Sequence, residues 1–343
     1  MPSKSCKKVR DRRAVPAHIA RNIDVRLAYI EERTYRQRLN TRVSFGLTSQ
    51  SNVNSGPEDR QIDIFGLPFT LSNSEMPQSD IIARTAVDFD YRLRLGQSDS
   101  FLNAQLTYVA ANYAEFDTLN RQDLGIRLGF LIPFEGFPLP RSHFQIHASA
   151  SQAWIDGSHY MDSSAVTASL SAAPTQKTQI RLSASYQQDD YILSSSRPVA
   201  DTRDSDKTTL SFTTYYAPGD GWRLMGGFET ATLDAKTAYN SWSGTTMRAG
   251  VSKAYTSPIK ALPGNWTTAF SAEYTQRSYD APERAFGTEA QSTDITRISL
   301  VQSVPLSAAM EAKFSLTSTK ADSTYDIYSW SDRSAALTVV YKF

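Results

Sequence analysis

The amino-acid sequence predicts an all-β fold: a closed antiparallel transmembrane β-barrel of about 14 strands, preceded by a short N-terminal helix. Three observations predict it. From about Leu39 to Phe343, apolar residues recur at every second position, the period of a strand with two unlike faces. Many of these alternating segments exceed the roughly 9 to 11 residues that a tilted strand needs to cross a bilayer. The connections between them alternate between short turns and longer polar stretches. A mean hydropathy of −0.40 is compatible with such a barrel, whose strands dilute apolar residues with polar ones. No run of about 18 apolar residues offers a transmembrane helix.

In chain order, residues 1–38 form a basic segment and the short helix, and residues 39–343 form the barrel. The start, "MPSKSCKKVRDRR", is basic, but no apolar stretch of the kind found in a secretory signal follows it. From Pro16 to about Tyr35, Ile19, Ile23, Leu27 and Ile30 recur at near-helical spacing, which predicts a short amphipathic helix. The clearest strand is "IIARTAVDFDYRLRL": Ile81, Ala83, Thr85, Val87, Phe89, Tyr91, Leu93 and Leu95 make one face, and Arg84, Asp88, Asp90, Arg92 and Arg94 the other. Leu102, Ala104, Leu106 and Tyr108 continue the pattern, as do Trp266, Phe270, Ala272 and Tyr274. The last strand sets Ala335, Leu337, Val339, Tyr341 and Phe343 against Ser334, Thr338 and Lys342. The segments centre near Phe45, Val87, Leu106, Ile126, Ile146, Val166, Leu182, Phe212, Leu224, Met247, Phe270, Ile298, Phe314 and Val339. Aromatic residues near the strand ends fit the girdles that such barrels place at the lipid headgroups.

Short turns fall at "GQSD", "APTQK", "APGD" and "VPLSA", rich in Pro, Gly and Asp. Long polar segments fall at 51–79, 187–205, 280–290 and 320–330. Bacterial outer-membrane barrels keep short turns on the periplasmic side, and an even strand number puts both chain ends there. A terminal Phe343 on an alternating strand suits a barrel whose last strand pairs with its first and meets lipid to its end. In outer-membrane proteins generally, such an ending, here Leu337, Val339, Tyr341 and Phe343, resembles the signal read by the barrel-assembly machinery. A soluble sandwich fits less well, because so many long strands with one apolar and one charged face are hard to pack as two sheets.

The balance of 36 Lys and Arg against 35 Asp and Glu gives a net charge of +1, so no global field recruits nucleic acid. One cysteine, Cys6, permits neither an internal disulfide nor a cysteine zinc site. His143 and His147 share a strand face, but about 13 Å of strand separates them, too far for one metal ion. His18 and His159 complete the histidines. No phosphate loop, HExxH or GxSxG is present. No catalytic residue, metal or cofactor is therefore expected. Arg84, Asp88, Asp90, Arg92, Arg94, Arg127, Arg181, Glu273, Glu311 and Lys313 are the candidate lining of the lumen, either as a wet, internally ion-paired wall or as a selectivity lining.

The stretch from Pro16 to Leu71 adds a resemblance. Its order of a short helix, a first strand, "SNVN" (Ser51, Asn52, Val53, Asn54) and "FGLPF" (Phe65, Gly66, Leu67, Pro68, Phe69) resembles the start of the barrel region in surface lipoprotein assembly modifiers. The resemblance continues as a barrel to Phe343. It implies an outer-membrane translocon-type barrel that helps deliver lipoproteins, or related secreted cargo, to the bacterial cell surface. Members of that family usually carry an N-terminal domain of tetratricopeptide repeats behind a signal peptide; neither a 34-residue helical repeat nor an export signal is visible here. The expected partners are outer-membrane lipid, the barrel-assembly machinery and the cargo, with the barrel itself a monomer.

Gating by conformation is expected in place of covalent chemistry. The first strand, around Val43 to Leu47, should pair with Leu337 to Phe343, and that seam together with the 51–79 loop should govern passage. Two alternatives stand beside this reading. One is a passive porin, whose ion selectivity Arg92 and Arg94 would set. The other is a barrel that acts mainly through its surface loops, its lumen blocked. About fourteen strands make a narrower barrel than the 16 to 18 of open porins.

Overall fold

The computed structural model describes residues 36–96, 99–262 and 264–343. The predicted helix between Pro16 and Tyr35 lies outside the described residues. Among the described residues sixteen strands follow one another: β1 (Gln37–Gln50), β2 (Gln61–Ile64), β3 (Leu67–Thr70), β4 (Asp80–Arg94), β5 (Phe101–Tyr113), β6 (Arg121–Pro133), β7 (His143–Ile155), β8 (Ser158–Ala172), β9 (Thr178–Tyr191), β10 (Ser205–Gly219), β11 (Trp222–Ala235), β12 (Trp242–Thr256), β13 (Asn265–Tyr279), β14 (Ser292–Pro305), β15 (Met310–Ser323) and β16 (Trp330–Lys342). Strands β1 and β4 to β16 close into one antiparallel barrel of fourteen, each strand paired with its neighbours in the chain and β16 with β1. All fourteen segment centres read from the sequence fall within these strands. The remaining two, β2 and β3, form a small hairpin of their own in the 51–79 connection.

Barrel strands of 13 to 15 residues extend about 43 Å or more at 3.3 Å per residue. At a tilt near 40° they still exceed an apolar band about 25 Å tall. The register aligns the large apolar side chains into that band. Phe45 lies opposite Val339, Leu106 opposite Ile126, Phe212 opposite Phe228, Phe228 opposite Met247, and Phe270 opposite Leu300. Nearly all of these are exposed on the outer wall, which is where lipid solvates them. The buried residues are few and often polar, among them Asn52, Asp80, Thr246, Thr319 and Asp332. The protein thus carries its apolar surface outside and its hydrogen-bonded polar groups within.

Six connections lie at one rim, with the start of β1 and the end of β16; we call this the turn rim. Seven lie at the other, the loop rim, which carries 51–79, 192–204, 280–291 and 324–329. The division by length is not strict. The loop rim includes a two-residue hairpin at Asp156 and Gly157, where φ values of 52° and 67° match a type I′ turn. The turn rim includes the longer connection 134–142. A second I′ hairpin, Asp220 and Gly221 at φ 51° and 78°, joins β10 to β11; a Cβ on Gly221 would lie 2.2 Å from the carbonyl oxygen of Ala254, so only glycine fits.

Candidate functional site

The closure between β1 and β16 has unlike ends. Its register runs from Arg42 opposite Lys342 to Gln50 opposite Ser334, a ladder of nine residues per strand. The other thirteen ladders run from eleven to fifteen. β1 begins five residues before this ladder, and among the described residues its segment 37–40 pairs with β4 alone. At the turn rim the ladder ends with the Phe343 amide donating to the Thr41 carbonyl at 2.9 Å. The Lys342 ammonium pairs with Glu311 at 2.8 Å, and the Tyr341 and Phe343 rings meet edge to face at 4.5 Å. Within the ladder, Gly46 stands opposite Thr338, and a Cβ there would lie 3.4 Å from that of Thr338.

The loop rim holds the same two strands through a buried polar network. One carboxylate oxygen of Asp332 accepts from the Ser51 amide, the Ser51 hydroxyl and the Asn52 amide, each at 3.1 Å. The Asn52 side chain, 2 % exposed, donates to the carbonyls of Gly56 (2.8 Å) and Ser331 (2.9 Å) and accepts from the Gly56 amide at 2.8 Å. The Arg333 amide donates to the Ser51 hydroxyl at 2.7 Å. A buried carboxylate is tolerated only when it is satisfied in this way. Asn54 holds the other end of the loop, donating to the Met76 carbonyl and accepting from the Gln78 amide.

The loop then crosses the closure. The Glu58 amide donates to the Ser329 carbonyl at 3.2 Å, and the Asp63 amide to the Asp326 carboxylate at 2.9 Å. The 324–329 connection is tied onward to 280–291, since the Tyr328 hydroxyl donates to Glu283 at 2.7 Å and Phe286 packs edge to face on Tyr328. Burial, followed by the bond to Glu283, pushes the Tyr328 phenol well above the ordinary tyrosine range. Bonds from the Ser72 amide and hydroxyl hold the Glu75 carboxyl below its ordinary value. Three loops beside the closure thus make one laced cap, from which the tip of the β2–β3 hairpin projects: Phe65, Leu67 and Phe69 are all exposed.

The chain matches the family model of the surface lipoprotein assembly modifiers over residues 40–343. It belongs to that family. A surface lipoprotein assembly modifier barrel with a continuous outward apolar band is an outer-membrane protein, and it takes part in the assembly of lipoproteins at the surface. Nothing among curated proteins matches it. Among solved structures it is similar to the outer-membrane channel DcaP of Acinetobacter baumannii, at 9% identity and a TM-score of 0.48 over 90% of this chain and 97% of that one. It is also similar to a bacterial polysaccharide outer membrane secretin, at 10% identity and a TM-score of 0.47 over 88% and 98%. At this level the likeness extends to neither ligand nor activity.

In this family member, the ten candidate lining residues alternate with the outward apolar residues of their strands. Arg84, Asp88, Asp90, Arg92 and Arg94 share the inner face of β4, and Arg127, Arg181, Glu273, Glu311 and Lys313 the inner faces of β6, β9, β13 and β15. Asp90 pairs with Arg42 at 3.2 Å, Asp88 accepts from the Thr107 hydroxyl, and Glu273 joins Glu229 in clamping Arg248 at 2.6 and 2.9 Å. The Arg92 guanidinium lies over the Phe101 ring at 3.7 Å, with Arg94 at 5.2 Å. Leu337, Val339 and Tyr341 face outward beside Phe343. The SNVN residues sit at the base of the laced cap, and the FGLPF residues form its hairpin tip. Among the described residues no group of three or more His, Cys, Asp or Glu is placed so that it could hold a metal ion. Sequence reasoning missed Asp332, whose partners Ser51 and Asn52 lie some 280 residues away in the chain. Its one signal was a carboxylate on the inner face of the closing strand.

Proposed function

We propose that the barrel is a translocon that carries lipoproteins, or related secreted cargo, across the outer membrane, and that the β1–β16 closure is its gate. The turn rim faces the periplasm in this reading, as short turns do in such barrels. The observation that carries the proposal is the contrast at the closure: the shortest ladder of the barrel, fastened at the loop rim by the buried Asn52–Asp332 network and only lightly at the turn rim. Separating a shorter ladder sacrifices fewer backbone hydrogen bonds, so an opening in the wall starts here. The outward final strand, ending in Tyr341 and Phe343, is what the barrel-assembly machinery would read, and the barrel works as a monomer. No covalent step is assigned.

The test is a disulfide across the seam. Gly46→Cys with Thr338→Cys, in a Cys6→Ser background, places the Cβ atoms near the roughly 3.5 to 4.5 Å that a disulfide needs. Oxidised cells should lose surface display of cargo and regain it on reduction. Full display from the oxidised barrel would refute the gate. Steady cargo-free conductance in planar bilayers, shifted in selectivity by Arg92→Gln, would favour the passive porin.

A further inference from the structure

At the turn rim, the connection 134–142 and the ends of β7 to β11 enclose a cavity of about 600 Å³. Arg141, His143, Lys177 and Arg223 line it, with the hydroxyls of Ser171 and Tyr215, and none of its lining residues is a carboxylate. That is unusual for this lumen. In the mid-wall Arg248 is neutralised between Glu229 and Glu273, whereas Arg141 and Arg223 make no ion pair among the described residues. Among the described residues the Lys177 ammonium gives one hydrogen bond, to the Pro218 carbonyl at 2.8 Å, and meets no carboxylate.

The positions are built. Arg141 adopts φ 54°, a conformation that side-chain-bearing residues seldom take. It is held there by the Ser142 hydroxyl on the Leu139 carbonyl (2.6 Å) and by the Ala173 amide on the Pro140 carbonyl (3.0 Å). Lys177 rides on a turn closed by its own amide donating to the Thr175 hydroxyl at 3.1 Å and by Thr175 donating to Thr178 at 3.0 Å. His143, Ser171, Tyr215 and Arg223 lie on the inner face by register, so the cavity opens into the mouth of the lumen.

Its width selects the ligand. The three cations, Arg141, Lys177 and Arg223, are spread from the start of β7 to β11, about 19 Å of wall at 4.8 Å per strand. A single phosphate reaches one or two of them. An extended peptide, rising about 3.3 Å per residue with alternate side chains on one face, presents carboxylates along the whole span. We propose that this cavity docks an acidic, extended segment of polypeptide entering the lumen at the turn rim. The assignment rests on the reading of the barrel as a polypeptide translocon and names the chemistry its cargo would carry.

The experiment uses the whole chain in detergent and a fluorescently labelled octaglutamate at low salt, where such attraction is least screened. Octaglutamate should bind saturably and octaglutamine should not. Arg141→Gln, Lys177→Gln and Arg223→Gln together should weaken binding at least about tenfold, while the same charge removed at the loop rim (Lys236→Gln, Arg284→Gln, Lys320→Gln) should leave it unchanged. Equal loss in both triple variants, no octaglutamate binding by the unaltered protein, or displacement of the peptide by an equal concentration of inorganic phosphate would each overturn the site. The seam-locked barrel keeps this mouth and should bind octaglutamate as the unlocked one does. Failure of the gate and failure of the docking site are therefore read separately.

Discussion

The two ends of the β1–β16 closure are made of the same two strands and hold together in different ways. At the loop rim the strands are joined by side chains that reach across them: Asp332 gathers three donors, Asn52 bridges to Ser331 and Gly56, and the loop from β1 leans on the 324–329 connection. At the turn rim, past the last register pair, the closure rests on one backbone bond from Phe343 to Thr41; the half-exposed Lys342–Glu311 pair joins β16 to β15, and the Tyr341–Phe343 ring contact lies within the end of β16 itself. The difference teaches that a closed barrel need not be uniformly closed. Buried networks resist opening because each broken bond strands a desolvated group, while exposed pairs exchange partners with water at little cost.

The largest expected effect comes from breaking the strong end. Asp332→Ala leaves the Ser51 and Asn52 donors without their acceptor in a buried setting and should cost the loop rim about 3 kcal/mol. Limited proteolysis should then cut within 51–79 while the remaining strands stay protected. A cleavage rate equal to that of the unaltered protein would break the comparison. Deleting Phe343 should cost the weak end less: about 1 kcal/mol for the bond to Thr41 and about 1 kcal/mol for the ring contact with Tyr341. Its main readout is assembly, because the last strand is shortened where the first is already longer than its partner. Normal outer-membrane levels of the truncated protein would contradict this.

The barrel was legible because its physics is repetitive. Lipid outside and water inside impose one alternation on every wall strand, so Phe45, Val87 and Val339 could each be read from their own neighbours. That the segment around Val43 to Leu47 pairs with Leu337 to Phe343 followed from closure; the register within it, Val43 opposite Tyr341 and Leu47 opposite Leu337, is seen only in the folded barrel. What escaped was local or distant. The β2–β3 hairpin is four residues per strand about a Phe65–Gly66 turn in which Phe takes φ 56°, and a segment that short shows no period. The Asp156–Gly157 hairpin carried a strong turn dipeptide but interrupted an expected run of long loops. The Asn52–Asp332 network joins residues 280 positions apart, a proximity that only the closed barrel creates. The cationic cavity draws on four separate segments, each of which reads singly as an ordinary polar turn or strand end.

The most direct test of an unevenly fastened gate is amide hydrogen exchange of the protein in lipid, followed along both strands of the closure. The account predicts that Thr41–Phe45 and Val339–Phe343 exchange well before Gln50–Asn52 and Ser331–Arg333, and before the corresponding ends of the β12–β13 ladder. Equal protection along the whole closure, or earlier exchange at the loop rim, would contradict it.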